Sequence, residues 1–216
     1  MSARDEVAAA SRRLAEAGLL IGTAGNVSMR AGELVAVTGT GVVLGECTHA
    51  QVTLVTLDGD VVDGSLAPTS ELDLHLGVYA ATDTVAVVHT HAPYSTAVAC
   101  VLDELPVLHY QHLLLGGPVR VAPYATFGSP ELAAHVRAAL VDRQAALMGS
   151  HGSVAIGATL DKAVENALLL EWLCTVYRDA VAMGKPATLS RKQQEDVVAA
   201  AIARNYGTIQ KAEESS

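Results

Sequence analysis

Cysteine is scarce in this chain of 216 residues, and the three that occur, Cys47, Cys100 and Cys174, stand far apart with no C-x-x-C pair. That spacing excludes a disulfide framework and a thiolate zinc site, and it fits reduced, mostly buried thiols in a cytoplasm. Charged residues are few as well, 17% of the total, and the balance is acidic, with a formal net charge of −9. A nucleic-acid binder or an anionic-membrane binder needs a basic face, so neither kind of partner is expected. No apolar run is long enough to span a bilayer, and the charged start Met1-Ser2-Ala3-Arg4-Asp5-Glu6 does not read as a secretory signal. Neither G-x-x-x-x-G-K-[ST] nor G-x-G-x-x-G occurs, so no nucleotide fold is indicated. Internal repeats and low-complexity segments are missing too.

What the chain does have is apolar residues, half of the total. They suffice for one sizeable core, expected over residues 1–210, with 211–216 as a flexible tail. The low charge fraction also points to surface buried between subunits. Ser2 and Asp5 form a capping box for a first helix that ends at Gly18, and Val52 to Leu57, Asp58-Gly59 and Val61-Val62 spell a hairpin. Pro93 starts a helix to Val101, Ser129-Pro130 another to about Leu140, Asp161 caps the longest, to about Met183, and Ser190 with Gln193 opens the last. Strands and helices interleave without a βαβ rhythm, which favours a mixed, largely antiparallel sheet over a doubly wound parallel one.

Function concentrates between Ala67 and His91. Thr69 or Ser70 can cap a helix with Leu72, Leu76, Val78 and Tyr79 at roughly helical spacing, which puts Glu71 in its first turn. The β-branched run Val85 to Val88 then reads as a buried strand leading to His89 and His91. In extended backbone, residues i and i+2 share a face, so both imidazoles can reach one ion; in a helix they would diverge by about 200°. Alone, His-x-His is a weak signal, because hydrogen-bonded structural pairs are the commoner outcome. His151, between the strand-like Ala145 to Met148 and Val154 to Ile156 and followed by Gly152, a glycine that lets backbone come close, supplies a third nitrogen. Three histidines and one exchangeable carboxylate suit a borderline divalent ion such as Zn²⁺. His109 and His112, beside an apolar segment, read as structural, His135 as exposed, and Tyr110 as a core tyrosine. The small, hydroxyl-bearing loops Gly22 to Ser28, Thr38 to Gly41 and Thr69-Ser70 could converge on one oxyanion, each being by itself an ordinary turn.

Six separated motifs, Gly22-Thr23-Ala24-Gly25-Asn26-Val27-Ser28, Thr38-Gly39-Thr40-Gly41, Pro68-Thr69-Ser70-Glu71, His89-Thr90-His91, Ala122-Pro123-Tyr124-Ala125-Thr126-Phe127-Gly128 and His151-Gly152, together resemble the class II aldolase/adducin family. The likeness runs in order from about residue 5 to about residue 210. It implies a three-layer αβα sandwich with a central mixed, largely antiparallel sheet flanked by helices. It also implies a homotetramer, with active sites between subunits. The implied reaction is reversible cleavage of a ketose 1-phosphate, L-fuculose 1-phosphate-like or a 5-deoxypentulose phosphate, to dihydroxyacetone phosphate and an aldehyde through a metal-stabilised enediolate.

On that resemblance, His89, His91, His151 and Glu71 would hold one Zn²⁺ per subunit and Glu71 would be the base. Gly25, Asn26, Thr40, Gly41, Thr69 and Ser70 would cradle the phosphate, Tyr110 would be the acid, and Tyr206 would close over the site. A Schiff-base alternative has no candidate, since Lys162, Lys185, Lys192 and Lys211 all lie at polar helix ends or in the tail. Related scaffolds carry a sugar-phosphate 4-epimerase, a methylthioribulose-1-phosphate dehydratase and a non-catalytic adducin-like interaction module. Retention of all three histidines with Glu71 and Tyr110 leans towards the aldolase. Val42-Val43-Leu44, Gln111-His112-Leu113-Leu114 and Ser153 depart from the pattern and bear on the aldehyde side of the substrate.

Overall fold

The computed structural model describes residues 2–207, so the expected tail lies outside the described residues. Short apolar and β-branched runs between turn residues make nine strands: β1 (Asn26–Ala31), β2 (Leu34–Thr38), β3 (Val52–Thr56), β4 (Val61–Asp63), β5 (Ala86–Thr90), β6 (Glu104–Leu105), β7 (Val119–Ala122), β8 (Ala145–Met148) and β9 (Gly152–Gly157). They form a single sheet in the order β4-β3-β2-β1-β5-β9-β8-β7-β6. β7 and β8 run parallel and the other neighbouring pairs antiparallel, the mixed sheet expected from the sequence. Helices α1 (Ala3–Glu16), α3 (Pro93–Ala99) and α5 (Leu160–Met183) cover one face; α2 (Leu72–Ala81) and α4 (Pro130–Ala139) cover the other. A last helix, α6 (Arg191–Ala203), lies against a 3-10 helix at Tyr110–Leu115.

Two apolar cores sit on either side of the sheet, and β5 contributes to both. Ala86 and Val88 face the α1/α5 core while Val87 faces the α2/α4 core, which explains why this strand is one continuous apolar run. His89 has the parity of Val87. The alternation of the strand thus aims its ring toward the α2 layer.

Helix ends follow local chemistry. The Ser2/Asp5 and Ser190/Gln193 capping boxes are present, Ser129 Oγ accepts from the Leu132 N–H, and Gly18 follows α1 at φ +77°. Two expected caps are corrected. Thr159, not Asp161, caps α5, accepting from the Lys162 N–H at 3.1 Å, while Asp161 sits in the first turn where a negative charge is favoured. Glu71 is itself the N-cap position of α2 rather than a first-turn residue, and its side chain makes no capping bond.

Helix α3 begins with Pro93, and its N-cap, Ala92, has no side chain to offer. The Glu171 carboxylate on α5 fills that role, accepting from the Tyr94 N–H at 2.9 Å and the Ser95 N–H at 2.8 Å. Glu171→Ala leaves both donors unpaired and is expected to lower stability by about 1–3 kcal/mol, with Glu171→Gln losing less. Denaturant unfolding with unchanged m-value checks it; identical midpoints for all three proteins would refute this cap.

Candidate metal centre

β1 and β5 pair so that Asn26 lies opposite His89, at the end of the sheet where the β8–β9 turn and the start of α2 also arrive. His89 is the last residue but one of β5, His91 follows just after the strand, His151 sits in the β8–β9 turn, and Glu71 stands at the head of α2. One ligand atom from each of these four residues lies within 4.8 Å of the others. The three rings are mutually edge-on with centroids 4.8 to 4.9 Å apart, and the Nε2 atoms of His89 and His91 are 2.9 Å apart. Glu71 Oε2 is 3.1 Å from His89 Nε2, and Oε1 is 3.5 Å from His151 Nε2.

Gly152 has the reason the sequence proposes: a Cβ there would stand 2.2 Å from the Thr90 carbonyl oxygen, so only glycine lets this turn close over β5. Gly25 is required likewise, at φ +96° with a Cβ 2.9 Å from the His89 carbonyl oxygen. The His89 Nδ1–H donates to the Ser153 carbonyl at 2.9 Å, which leaves the Nε2 lone pair aimed at the cluster. Ser153, set apart in the sequence as a departure on the aldehyde side, orients that ring through its carbonyl, and its hydroxyl pairs with Thr90 at 3.0 Å.

Charge states suit a cation. Burial pushes His91 down to about 4 and lowers His151 too, so both rings are neutral at physiological pH, as metal ligands must be. Burial alone would raise the Glu71 carboxyl, but His89, the Asn26 hydrogen bond and His151 together hold it well below the usual carboxylate range. Glu71 Oε1 is buried with no hydrogen-bond partner, which costs free energy unless a cation meets it. Three imidazole nitrogens and one anionic oxygen, one atom orphaned, fit a divalent ion.

A cavity of about 340 Å³ opens over this cluster, lined by Gly25, Asn26, Thr40, Gly41, Thr69 and Ser70, with Glu71, His91 and His151 at its base. No Lys or Arg is among its lining residues. The loops are zipped together, the Thr40 N–H donating to Ala67 O at 2.9 Å and the Thr69 N–H to Thr38 O at 3.0 Å. Thr69 is buried, its hydroxyl accepting from the Glu71 N–H at 3.3 Å, whereas Thr40, Gly41 and Ser70 are exposed. Asn26 lines the cavity, and its side chain is committed inward at both ends, Nδ2 donating to Glu71 Oε2 at 2.9 Å and Oδ1 meeting His75 Nε2. Tyr124 and Phe127, read only as part of a motif, stand on the rim, each 67% exposed.

The tyrosines lie elsewhere. Tyr110, read as a core residue, is exposed because it opens the 3-10 helix against α6, where its hydroxyl is 3.0 Å from that of Tyr206. Both line a second, apolar cavity of about 420 Å³ that includes none of the metal-site histidines. His109 packs edge-on against Trp172 and His112 is fully buried with Nδ1 3.1 Å from His109 O, and neither belongs to the cluster of Glu71, His89, His91 and His151. His135, expected exposed, is half-buried with Nδ1 3.1 Å from the Pro123 carbonyl oxygen. Sequence reasoning missed His75 altogether. Its signal was the spacing Glu71, His75, Tyr79, a polar residue every fourth position of an apolar helix.

The family model described as the class II aldolase and adducin N-terminal domain matches residues 5–178. A 5-deoxy-D-ribulose 1-phosphate aldolase from Bacillus thuringiensis serovar kurstaki is 34% identical over 197 residues, covering 90% of this chain and 92% of that one. A 5-methylthioribulose-1-phosphate/5-deoxyribulose-1-phosphate aldolase from Rhodospirillum rubrum is 36% identical over 191 residues, 88% of this chain and 86% of that one. Among solved structures, an L-fuculose 1-phosphate aldolase superposes with a TM-score of 0.88 at 32% identity, covering 92% of this chain and 95% of that chain.

Proposed function

Because this chain belongs to the class II aldolase and adducin N-terminal domain family, we propose that it is a metal-dependent aldolase that reversibly cleaves a ketose 1-phosphate to dihydroxyacetone phosphate and an aldehyde. The observation that carries the reading is the convergence of three imidazole nitrogens with Oε1 of Glu71, which has no hydrogen-bond partner, beneath a hydroxyl-rich cavity with no Lys or Arg in its lining. A structural histidine cluster would leave no buried carboxylate oxygen without a partner. A non-catalytic interaction module would have no need of the set.

Zn²⁺, held by His89, His91, His151 and Glu71, would supply Lewis acidity for the charge that develops on the substrate's carbonyl oxygen. Glu71, ionised and screened from water, takes the carbon-bound proton. The hydroxyls of Thr40 and Ser70 and the backbone about Gly25, Gly41 and Thr69 receive the phosphate by local hydrogen bonds. They do so against the net charge of −9 and without a cationic side chain in the lining. Relatives named for 5-deoxyribulose 1-phosphate and L-fuculose 1-phosphate favour a substrate whose aldehyde half ends in an apolar carbon.

The test is a panel of ketose 1-phosphates incubated with the protein and Zn²⁺, following release of dihydroxyacetone phosphate. A 4-epimer or a dehydrated product with no dihydroxyacetone phosphate would instead assign the epimerase or dehydratase chemistry of the same scaffold.

Tyr110 as proton donor and Tyr206 as a closing residue require a neighbouring copy, since in one chain they line a cavity separate from the histidines. Exposed apolar side chains such as Val101 and Ile202, each 74% exposed, support a homotetramer with sites between subunits. Mixed tetramers of the inactive variants Glu71→Gln and Tyr110→Phe are then expected to recover up to about a quarter of wild-type activity, the share of sites that random mixing makes whole. An active monomer on sizing, or no recovery on mixing, would overturn this arrangement.

A further inference from the structure

Glu71, His75 and Tyr79 turn the sheet-facing side of α2 polar at every fourth residue, and they meet Asn26 and Ser28, which alternate onto the same face of β1. The five groups form one chain. Asn26 Nδ2 is 2.9 Å from Glu71 Oε2, Asn26 Oδ1 contacts His75 Nε2, His75 Nδ1 is 2.6 Å from Ser28 Oγ, and Ser28 Oγ is 2.7 Å from Tyr79 Oη. His75 and Ser28 are fully buried and Tyr79 and Asn26 nearly so.

Donor and acceptor chemistry fixes the direction of this chain. An ionised carboxylate only accepts, so the Asn26 amide must present its NH₂ to Glu71 and its oxygen to His75. That oxygen only accepts, so His75 carries its hydrogen on Nε2. A neutral ring then has a bare Nδ1, which accepts the Ser28 O–H, and Ser28 in turn accepts from the Tyr79 O–H. Every hydrogen in the chain points toward Glu71, an arrangement in which each bond polarises the next. The consequence at the carboxylate is asymmetric: Oε2 is held, while Oε1, facing His151, has no hydrogen-bond partner.

We propose that His75, acting through Asn26, is a positioning residue that clamps Glu71 Oε2 and keeps Oε1 free to meet the metal and the substrate proton. The inference rests on the lyase reading above. A purely structural role would be met by an apolar side chain in the same volume, since a buried polar network is seldom more stabilising than well-packed hydrocarbon.

The experiment compares wild type, His75→Leu and His75→Gln as Zn²⁺-loaded proteins, by chelator competition for metal affinity and by steady-state kinetics on the ketose 1-phosphate that wild type cleaves. His75→Leu is expected to weaken Zn²⁺ affinity and lower kcat by roughly 10- to 100-fold each, with KM within about twofold. His75→Gln, whose amide can donate to Asn26 Oδ1, is expected to recover most of both. Wild-type values in His75→Leu, or a His75→Gln as impaired as His75→Leu, would overturn the inference while the active wild type leaves the lyase reading standing. Wild type that neither binds Zn²⁺ nor cleaves any ketose phosphate removes the reading and the inference together. Should His75→Leu not fold, Asn26→Ala cuts the same link and leaves His75, Ser28 and Tyr79 in place. Unchanged kcat and metal affinity in that variant overturn the inference equally.

Discussion

Glu71→Gln is expected to lower kcat by roughly two to four orders of magnitude while the protein keeps its divalent ion, the usual worth of a positioned general base. The amide keeps the shape of the carboxylate. Asn26 Nδ2, now 2.9 Å from Glu71 Oε2, still needs an acceptor, so the glutamine oxygen turns toward it and an NH₂ group replaces Oε1 in the site. Basicity is lost at the position that faces the substrate, and the three imidazoles remain. Metal content by elemental analysis and single-turnover rates measure the two effects separately. A variant with near-normal kcat, or one that sheds its metal as readily as a histidine variant, would reduce Glu71 to a structural ligand.

Removing a histidine should have the opposite signature, in which metal and activity disappear together. His89 is fully buried, sits within 3.1 Å of both His91 Nε2 and Glu71 Oε2, and is locked in place by the Ser153 carbonyl. His89→Ala therefore removes the candidate ligand at the centre of the cluster together with its hydrogen bond to that carbonyl. Activity is expected to fall by roughly three or more orders of magnitude, since the Lewis acid is lost with the ion, and added Zn²⁺ should not restore it. Chelated wild type, in contrast, should regain full activity with Zn²⁺. Full activity in metal-free wild type would refute the metal centre outright.

The same site predicts a pH dependence. A histidine whose folded pKa lies below its ordinary 6.5 stays neutral until the pH falls through the lowered value. Burial sets that value at about 4 for His91 and also lowers His151. Protons should then compete poorly with the ion near neutrality, so metal content after equilibration should stay flat from pH 8 to pH 6 and drop only below roughly pH 5. Release between pH 7 and 6, where ordinary imidazoles titrate, would contradict the neutral-ligand assignment.

Features that depend on short-range geometry are legible in the chain itself. Alternation puts His89 and His91 on one face, Gly152 is legible as a close approach, the capping boxes at Ser2 and Ser190 need only a four-residue window, and the hairpin at Asp58-Gly59 is a local backbone preference. The mixed sheet followed from the missing βαβ rhythm. Where two local candidates competed within one turn, as Thr159 and Asp161 did at the head of α5, the sequence chose wrongly, because either can cap and only the path of the incoming chain decides. Tertiary structure alone decided how strands distant in sequence pair. The placement of β1 beside β5 sets Asn26 opposite His89, and that nonlocal register makes its amide a partner of Glu71 and joins it to His75. The packing of α6 on the 3-10 helix, likewise nonlocal, puts Tyr110 and Tyr206 in a cavity apart from the histidines. Side-chain spacing along one element is fixed by backbone geometry. Which elements become neighbours is fixed by the burial of two apolar cores on opposite faces of the sheet, a quantity summed over the whole chain and absent from any single motif.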